Sequence, residues 1–317
     1  MRAAVVRGPG QVPVLAEFDE PPPRDGFELV TVTASAVSNA TRARAAGSHF
    51  SSPADFPFVP GIDGVGTTSD GRRVALFLPA APWGGLAERT IVPAALCVPV
   101  PDGLDDVTAA ALINPGVSPV TSLRVRAALR AGETVLINGA TGITGLVAVQ
   151  VARRLGAGRV IATGRDRDAL HRARSFGADV TIALSDDDTT VDEALAEAFR
   201  NGVDVVLDYL SGSAGERILA AAGAGPNRGG ELRFVMSGGV TGDRIAVPNA
   251  VVGRAPVSVL GSGIGSVSMP QIRESVAEVL RLAAAEPIVV AIVESRLAQV
   301  ETAWTADHGR ARLVFRV

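Results

Sequence analysis

Two rhythms of apolar and polar positions divide the chain. Up to about Val117, short apolar runs such as AAVVRG, ELVTVTASAV, RRVALFL and ERTIVPAALCVPV stand between clusters of Gly, Pro and Asp. That spacing predicts a compact domain of short β-strands. From Ser118 onward, near-continuous apolar runs alternate with stretches of helical period. Strands are predicted at Thr134–Ile137, Val160–Ala162, Val180–Ala183, Asp204–Leu207, Leu232–Met236 and Val257–Leu260. Between the first two, GLVAVQVARRLGA carries its apolar residues on one helical face and stops at Gly156. DALHRARSFGA repeats the pattern with Gly177. Strands buried on both faces and joined by helices mean an α/β domain with a doubly wound parallel sheet, here over residues 118–268. Residues 1–117 form the β-rich domain, which 269–317, an amphipathic helix followed by further β-like runs, is expected to complete. At the junction, DDVTAAALINPGVS predicts a helix capped near Asp105 or Asp106 and ending at Asn114-Pro115-Gly116.

Composition narrows the chemistry. A chain of 317 residues that is 47% hydrophobic supports two real cores and excludes disorder as its main state. Apolar runs are broken well short of membrane-spanning length, and MRAAVVRGPGQVPV lacks the apolar core of a signal peptide, so a cytoplasmic protein is expected. The net charge of −3, with both signs mixed, offers no footprint for nucleic acid or a membrane surface. The single cysteine, Cys97 in AALCVPVP, reads as buried filler and fits a reducing compartment. The chain contains no lysine. That excludes a P-loop, lysine Schiff-base chemistry and a Tyr-x-x-x-Lys catalytic pair; the only tyrosine, Tyr209, is followed by LSGS.

The most informative stretch is ETVLINGATGITGLVAVQVARRLGAGRVIATGRDRDAL. Gly139, Gly142 and Gly145 follow a predicted strand and open a helix that begins at Ile143 and Thr144. Without Cβ atoms the backbone can approach a pyrophosphate, and free N–H groups at the helix start attract its charge. Within a βαβ unit of about 30 residues this pattern signals a dinucleotide site. An NAD-selective fold places a carboxylate about 20 residues on, at the end of the second strand. Here that position is Gly164, followed by Arg165. Glycine leaves room for a 2′-phosphate and a guanidinium pairs with it, so NADPH is favoured over NADH.

Taken together these segments resemble the medium-chain dehydrogenase/reductase superfamily, in its zinc-free quinone oxidoreductase-like branch. FPFVPGIDGVG is similar to its P-G-x-[DE]-x-x-G signature, and VLINGATGITGLVAVQVARRLGA to the branch's A-x-x-G-x-x-G form. GVDVVLDYLSG resembles its fourth nucleotide-domain strand, and ETAWTADHGRARLVF its C-terminal segment with a glycine before a basic residue, here Gly309 and Arg310. The resemblance spans nearly the whole chain. It implies a Rossmann domain beside a GroES-like catalytic domain, and a homodimer. It also implies that Tyr209, Ser237, Gly238, Gly261, Ser262, Gly263 and Arg310 join the glycine turn in holding the cofactor.

The departures matter as much. Zinc-dependent members carry a Cys and a Gly-His-Glu where this chain reads Ala36-Val37-Ser38 and Gly61-Ile62-Asp63. One cysteine and three scattered histidines (His49, His171 and His308) supply no familiar ligand spacing, so no metal is expected. Hydride delivery to a small, electron-poor conjugated acceptor, a quinone or α,β-unsaturated carbonyl, suits such a scaffold. The protein then mainly orients the reactants and donates a hydrogen bond to the developing oxyanion. By resemblance Ser38, Asn39 and Thr41 are the candidates, with His49 as a candidate acid. Phe50, Asn114 and Ser118 are expected beside the substrate. Two other readings stand next to this one: a reductase of enoyl thioesters or another biosynthetic double bond, and a non-redox protein that keeps the fold as an NADPH sensor, isomerase or cyclase.

Overall fold

A computed structural model describes residues 1–317 apart from Phe50 and 225–229. The expectation for Phe50 therefore lies outside the described residues. The strands of the N-terminal part are β1 (Arg2–Val5), β2 (Val14–Glu17), β3 (Phe27–Ala36), β4 (Asp63–Thr68), β5 (Arg73–Phe77), β6 (Arg89–Pro93) and β7 (Cys97–Pro99). They are followed by β8 (Thr134–Asn138), β9 (Arg159–Gly164), β10 (Val180–Ala183), β11 (Val205–Asp208), β12 (Leu232–Met236) and β13 (Val257–Gly261). Near the C-terminus come β14 (Ile292–Arg296) and β15 (Arg312–Arg316). The helices used below are α1 (Asn39–Ala45), α2 (Asp106–Val120), α3 (Ile143–Arg154), α4 (Arg167–Ser175), α5 (Asp188–Arg200) and α6 (Gly212–Gly223).

The chain divides into two compact units, 1–117 with 272–317, and 118–271. In the first, β3 is the spine of a sheet ordered β14-β15-β3-β4-β5-β7, with β6 also paired to β3. The C-terminal segment is woven in directly, since β15 runs antiparallel to β3 with Val314 opposite Ala36. Phe58, Leu86, Trp304 and Phe315 are among the residues that close one core of this unit.

The second unit holds a sheet of order β10-β9-β8-β11-β12-β13, parallel throughout. The order reverses direction between β8 and β11, which puts a crevice at the carboxyl ends of the central strands. The strands are apolar on both faces because helices cover both; Leu136, Ile161 and Phe234 are fully buried with Leu195 of α5. Each such side chain contributes about 1.5–3 kcal/mol through removal from water.

One expected boundary does not hold. The helix α2 does not stop at Asn114-Pro115-Gly116 but runs on to Val120, and a wider turn of π type continues it over Thr121–Arg126. Ala109 to Ile113 are completely buried, and the position of a Cβ on Gly116 is already filled by Val279 Cγ2, 2.1 Å away. Proline and glycine cost helix stability locally, and here tight burial outweighs that cost.

Candidate active site

The glycine turn leaves β8 and is clamped to its neighbour strand: the N–H groups of Gly139 and Ala140 both donate to Thr163 O, at 3.1 and 2.9 Å. Gly142, in extended conformation, sits at the N-cap of α3 without a side-chain cap. The first intrahelical bond runs from Leu146 N–H to Gly142 O, at 2.9 Å. The N–H groups of Ile143, Thr144 and Gly145 thus lie outside the helical ladder, the arrangement that attracts an anion. Gly145 is where turn and helix touch, since a Cβ there would lie 2.2 Å from Gly139 O.

The end of β9 is built around the same turn. A Cβ on Gly164 would fall 2.3 Å from Thr141 Cγ2, so glycine is required there by the turn itself, a reason not visible in the sequence. Arg165 follows, exposed and with no ion-pair partner among the described residues. Its neighbours are committed. The Asp166 carboxylate caps α4 by accepting from Ala169 N–H at 2.8 Å, and Arg167 pairs with Asp186.

Beneath the strand ends lies a buried polar network that sequence reasoning missed. Asn138 donates from Nδ2 to Asp208 Oδ1 at 2.8 Å and accepts from Thr163 Oγ1 at 2.7 Å. Asp208 also accepts the N–H groups of Leu210 at 2.9 Å and Ser211 at 3.1 Å. It thereby pins Ser211, whose φ of 60° is unusual for a residue with a side chain.

A chain of hydroxyls runs beside that network. Ser118 Oγ lies 3.5 Å from the Tyr209 hydroxyl and 3.1 Å from Ser237 Oγ, and Ser122 Oγ donates to Ser262 Oγ at 2.9 Å. Four expected residues (Ser118, Tyr209, Ser237 and Ser262) are therefore in one cluster, and Ser122 is an addition. Burial pushes the Tyr209 phenol upward, so it stays protonated. Gly238 abuts Tyr209 O, whereas a Cβ on Gly261 or Gly263 would meet open space.

In the other unit, Ser38 is the N-cap of α1. Its Oγ accepts from Thr41 N–H at 2.9 Å and lies 2.9 Å from Thr41 Oγ1. Asn39 is exposed and Thr41 buried. His49 Nδ1 accepts from Ser51 N–H at 3.2 Å; desolvation first, and the Arg44 charge second, lower its pKa. A neutral imidazole at pH 7 is a poorer acid than the sequence suggested. Asn114 N–H donates to Asp63 Oδ2 at 3.1 Å, and the same oxygen accepts from Arg312 Nη2 at 2.7 Å. Arg310 is exposed near the C-terminus.

Thr41 and Arg44 also line a pocket closed by Phe58, Val59, Pro82 and Trp83. The enclosed part of this pocket is small, about 10 Å³, and it opens to solvent. Backbone bonds from Val59 N–H to Pro82 O, at 2.9 Å, and from Leu86 N–H to Pro60 O, at 3.0 Å, hold the walls together. Trp83 anchors its indole N–H on Asp19 O at 2.9 Å.

The chain is similar over 95% of its length to a probable NADPH-dependent quinone reductase, tdiC, of Emericella nidulans, at 28% identity and over 95% of that protein. The quinone oxidoreductase of Rattus norvegicus is also 28% identical, over 64% of each chain. Among solved structures, the quinone oxidoreductase of Thermus thermophilus, known also as a complex with NADPH, superposes with a TM-score of 0.78 at 29% identity, all of both chains being covered. The zinc-binding dehydrogenase family model matches residues 144–285. The chain belongs to the medium-chain dehydrogenase/reductase superfamily, in its quinone oxidoreductase-like branch. Among the described residues no three His, Cys, Asp or Glu side chains converge as metal ligands. No helix of the described residues is long and apolar enough to cross a membrane.

Proposed function

We propose that this protein is an NADPH-dependent, zinc-independent reductase whose acceptor is a quinone or an α,β-unsaturated carbonyl. The observation that carries the reading is the turn at Gly139–Gly145, with free N–H groups opening α3, beside an exposed Arg165 that has no ion-pair partner among the described residues. The open space beside Gly142 at the start of α3 fits a pyrophosphate, and Arg165 fits a 2′-phosphate. The relatives named for NADPH support the same choice.

Bound NADPH supplies the hydride. The chain's own residues do the rest. Ile143, Thr144 and Gly145 hold the pyrophosphate through backbone N–H groups, and Arg165 reads the extra phosphate. The hydroxyls of Ser118, Ser237 and Ser262 offer donors and acceptors at the carboxyl ends of the strands. Thr41 lines the pocket, and when the Ser38 O–H, 2.9 Å away, donates to the Thr41 hydroxyl, the Thr41 proton is left for the acceptor's developing oxyanion. Ala36-Val37-Ser38 and Gly61-Ile62-Asp63 stand where zinc-dependent members carry a Cys and a Gly-His-Glu, which favours the zinc-independent form of the reaction. We assign the dimer contact to the edge strand β13, where Val259 is 44% exposed and, among the described residues, β12 is the one strand paired with it.

Titration of NADPH and NADH, followed by nicotinamide fluorescence, tests the reading. NADPH binds more tightly, and Arg165→Ala weakens NADPH about tenfold while leaving NADH nearly unchanged. Absence of binding by either nucleotide refutes it and leaves the non-redox reading standing.

A further inference from the structure

The helix α1 ends with two arginines that face different surroundings. Arg42 is committed: its Nη1 donates to Trp304 O at 2.6 Å and its guanidinium lies 5.0 Å from the Trp304 ring centroid. Arg44 is half-buried and lines the pocket with Thr41, Phe58 and Trp83, and its guanidinium has no ion-pair or hydrogen-bond partner among the described residues. A guanidinium withdrawn from water without a counter-ion is costly, and it is retained in a pocket wall when a ligand provides the missing charge. The surroundings agree, because burial lowers the Arg44 pKa and no carboxylate opposes the shift. The rest of the lining is mostly apolar, with the rings of Phe58 and Trp83, and opens to solvent, so the conjugated part of a substrate lies across its mouth rather than inside it.

We propose that the acceptor is an anion, an α,β-unsaturated carbonyl compound bearing a carboxylate that Arg44 binds in the Thr41–Trp83 pocket. This rests on the reductase reading above and deepens it: Thr41 addresses the carbonyl, and Arg44 fixes the far end of the molecule. A guanidinium grips a carboxylate through two parallel hydrogen bonds, which sets orientation as well as affinity. A neutral quinone would leave Arg44 unpaired.

The probes are 4-oxo-4-phenylbut-2-enoate and its methyl ester, which differ only in the charge. Calorimetric titration without nucleotide measures binding to the wild-type protein, Arg44→Gln and Arg44→Lys. The acid binds the wild type about tenfold more tightly than it binds Arg44→Gln, and Arg44→Lys retains much of the affinity. The ester shows no difference among the three, and only the acid weakens with added salt. Equal binding of acid and ester to the wild type overturns the inference, as does unchanged acid affinity in Arg44→Gln. A second pair, crotonyl-CoA and crotonyl-N-acetylcysteamine, separates carboxylate from phosphate. An Arg44-dependent preference for crotonyl-CoA, with none for the acid over the ester, overturns the carboxylate assignment. NADPH oxidation in the same mixtures keeps the two proposals apart. Arg44-dependent acid binding without oxidation supports the anion site and refutes the reductase. Oxidation with the ester and acid used equally does the reverse.

Discussion

Replacing Arg312 by methionine is the most direct test of how the first unit is held together. Asp63 is completely buried and Arg312 is 4% exposed, so the two charges meet at 2.7 Å with almost no water. Desolvation raises the Asp63 pKa, and Arg312 and the Asn114 N–H oppose that shift. Removal of the guanidinium leaves a buried carboxylate with one backbone donor, which costs about 3–5 kcal/mol. Asp63→Asn keeps an acceptor for Asn114 N–H but strands the guanidinium. The double variant therefore loses less than the sum of the two single changes. Both tryptophans, Trp83 and Trp304, belong to this unit, so urea unfolding followed by tryptophan emission reports on it selectively. The pH dependence has a definite sign. With Arg312 gone, the folded-state pKa of Asp63 rises further above the unfolded value, so the folded form binds the extra proton. Stability is then retained below the unfolded pKa and lost as pH rises through the folded one. Arg312→Met should stand nearer to wild type at pH 5 than at pH 8. A loss below 1 kcal/mol at pH 8, or a gap that widens on acidification, refutes the argument.

Two further outcomes follow from close contacts. Gly164→Ala drives a methyl into Thr141, whose Cγ2 lies 2.3 Å from the Cβ position. NADPH affinity falls at least tenfold, and adding Thr141→Gly restores part of it; an unaltered titration of the single variant contradicts the geometry. Burial pushes the Cys97 thiol from 9.0 to about 12. The native protein should be inert to a thiol-reactive dye at pH 8 and react once unfolded in urea. Because the folded pKa is the higher one, the thiol's contribution to stability is intact below about pH 9 and disappears as pH rises toward 12. Rapid native labelling at pH 8 contradicts this.

The doubly wound sheet was legible because its strands are apolar on both faces. Each predicted run, from Thr134–Ile137 to Val257–Leu260, overlaps the strand observed and ends within two residues of it. The glycine turn was legible for the opposite reason, since its constraint is local and is written in three residues. Contacts across long separations were not. Ser118 and Ser237, or Ser122 and Ser262, are more than a hundred positions apart, and serine carries no periodic signal. The end of α2 was misplaced because Pro115 and Gly116 announce a break that burial overrides. Arg42 and Arg44 look alike in the string TRARA, and only the folded helix shows that one is spent on Trp304 while the other faces a pocket. Arg312 is one of three arginines in HGRARLVFR, and nothing in that string sets it apart as the one that is buried against Asp63.

The carboxylate of Asp208 bears on how such a scaffold can diversify. It ties Asn138 at the root of the glycine turn to the turn that starts α6, all through bonds made beneath the surface. The loop from Gly239 to Ile245 hangs above this knot through contacts such as Gly212 N–H to Arg244 O, 3.1 Å, and Thr241 N–H to Leu210 O, 2.9 Å. Insertions, deletions or exchanges in that loop can accumulate while the strand ends keep their register. Descendants of this chain can thus drift in what they act upon without first renegotiating how they hold a nucleotide.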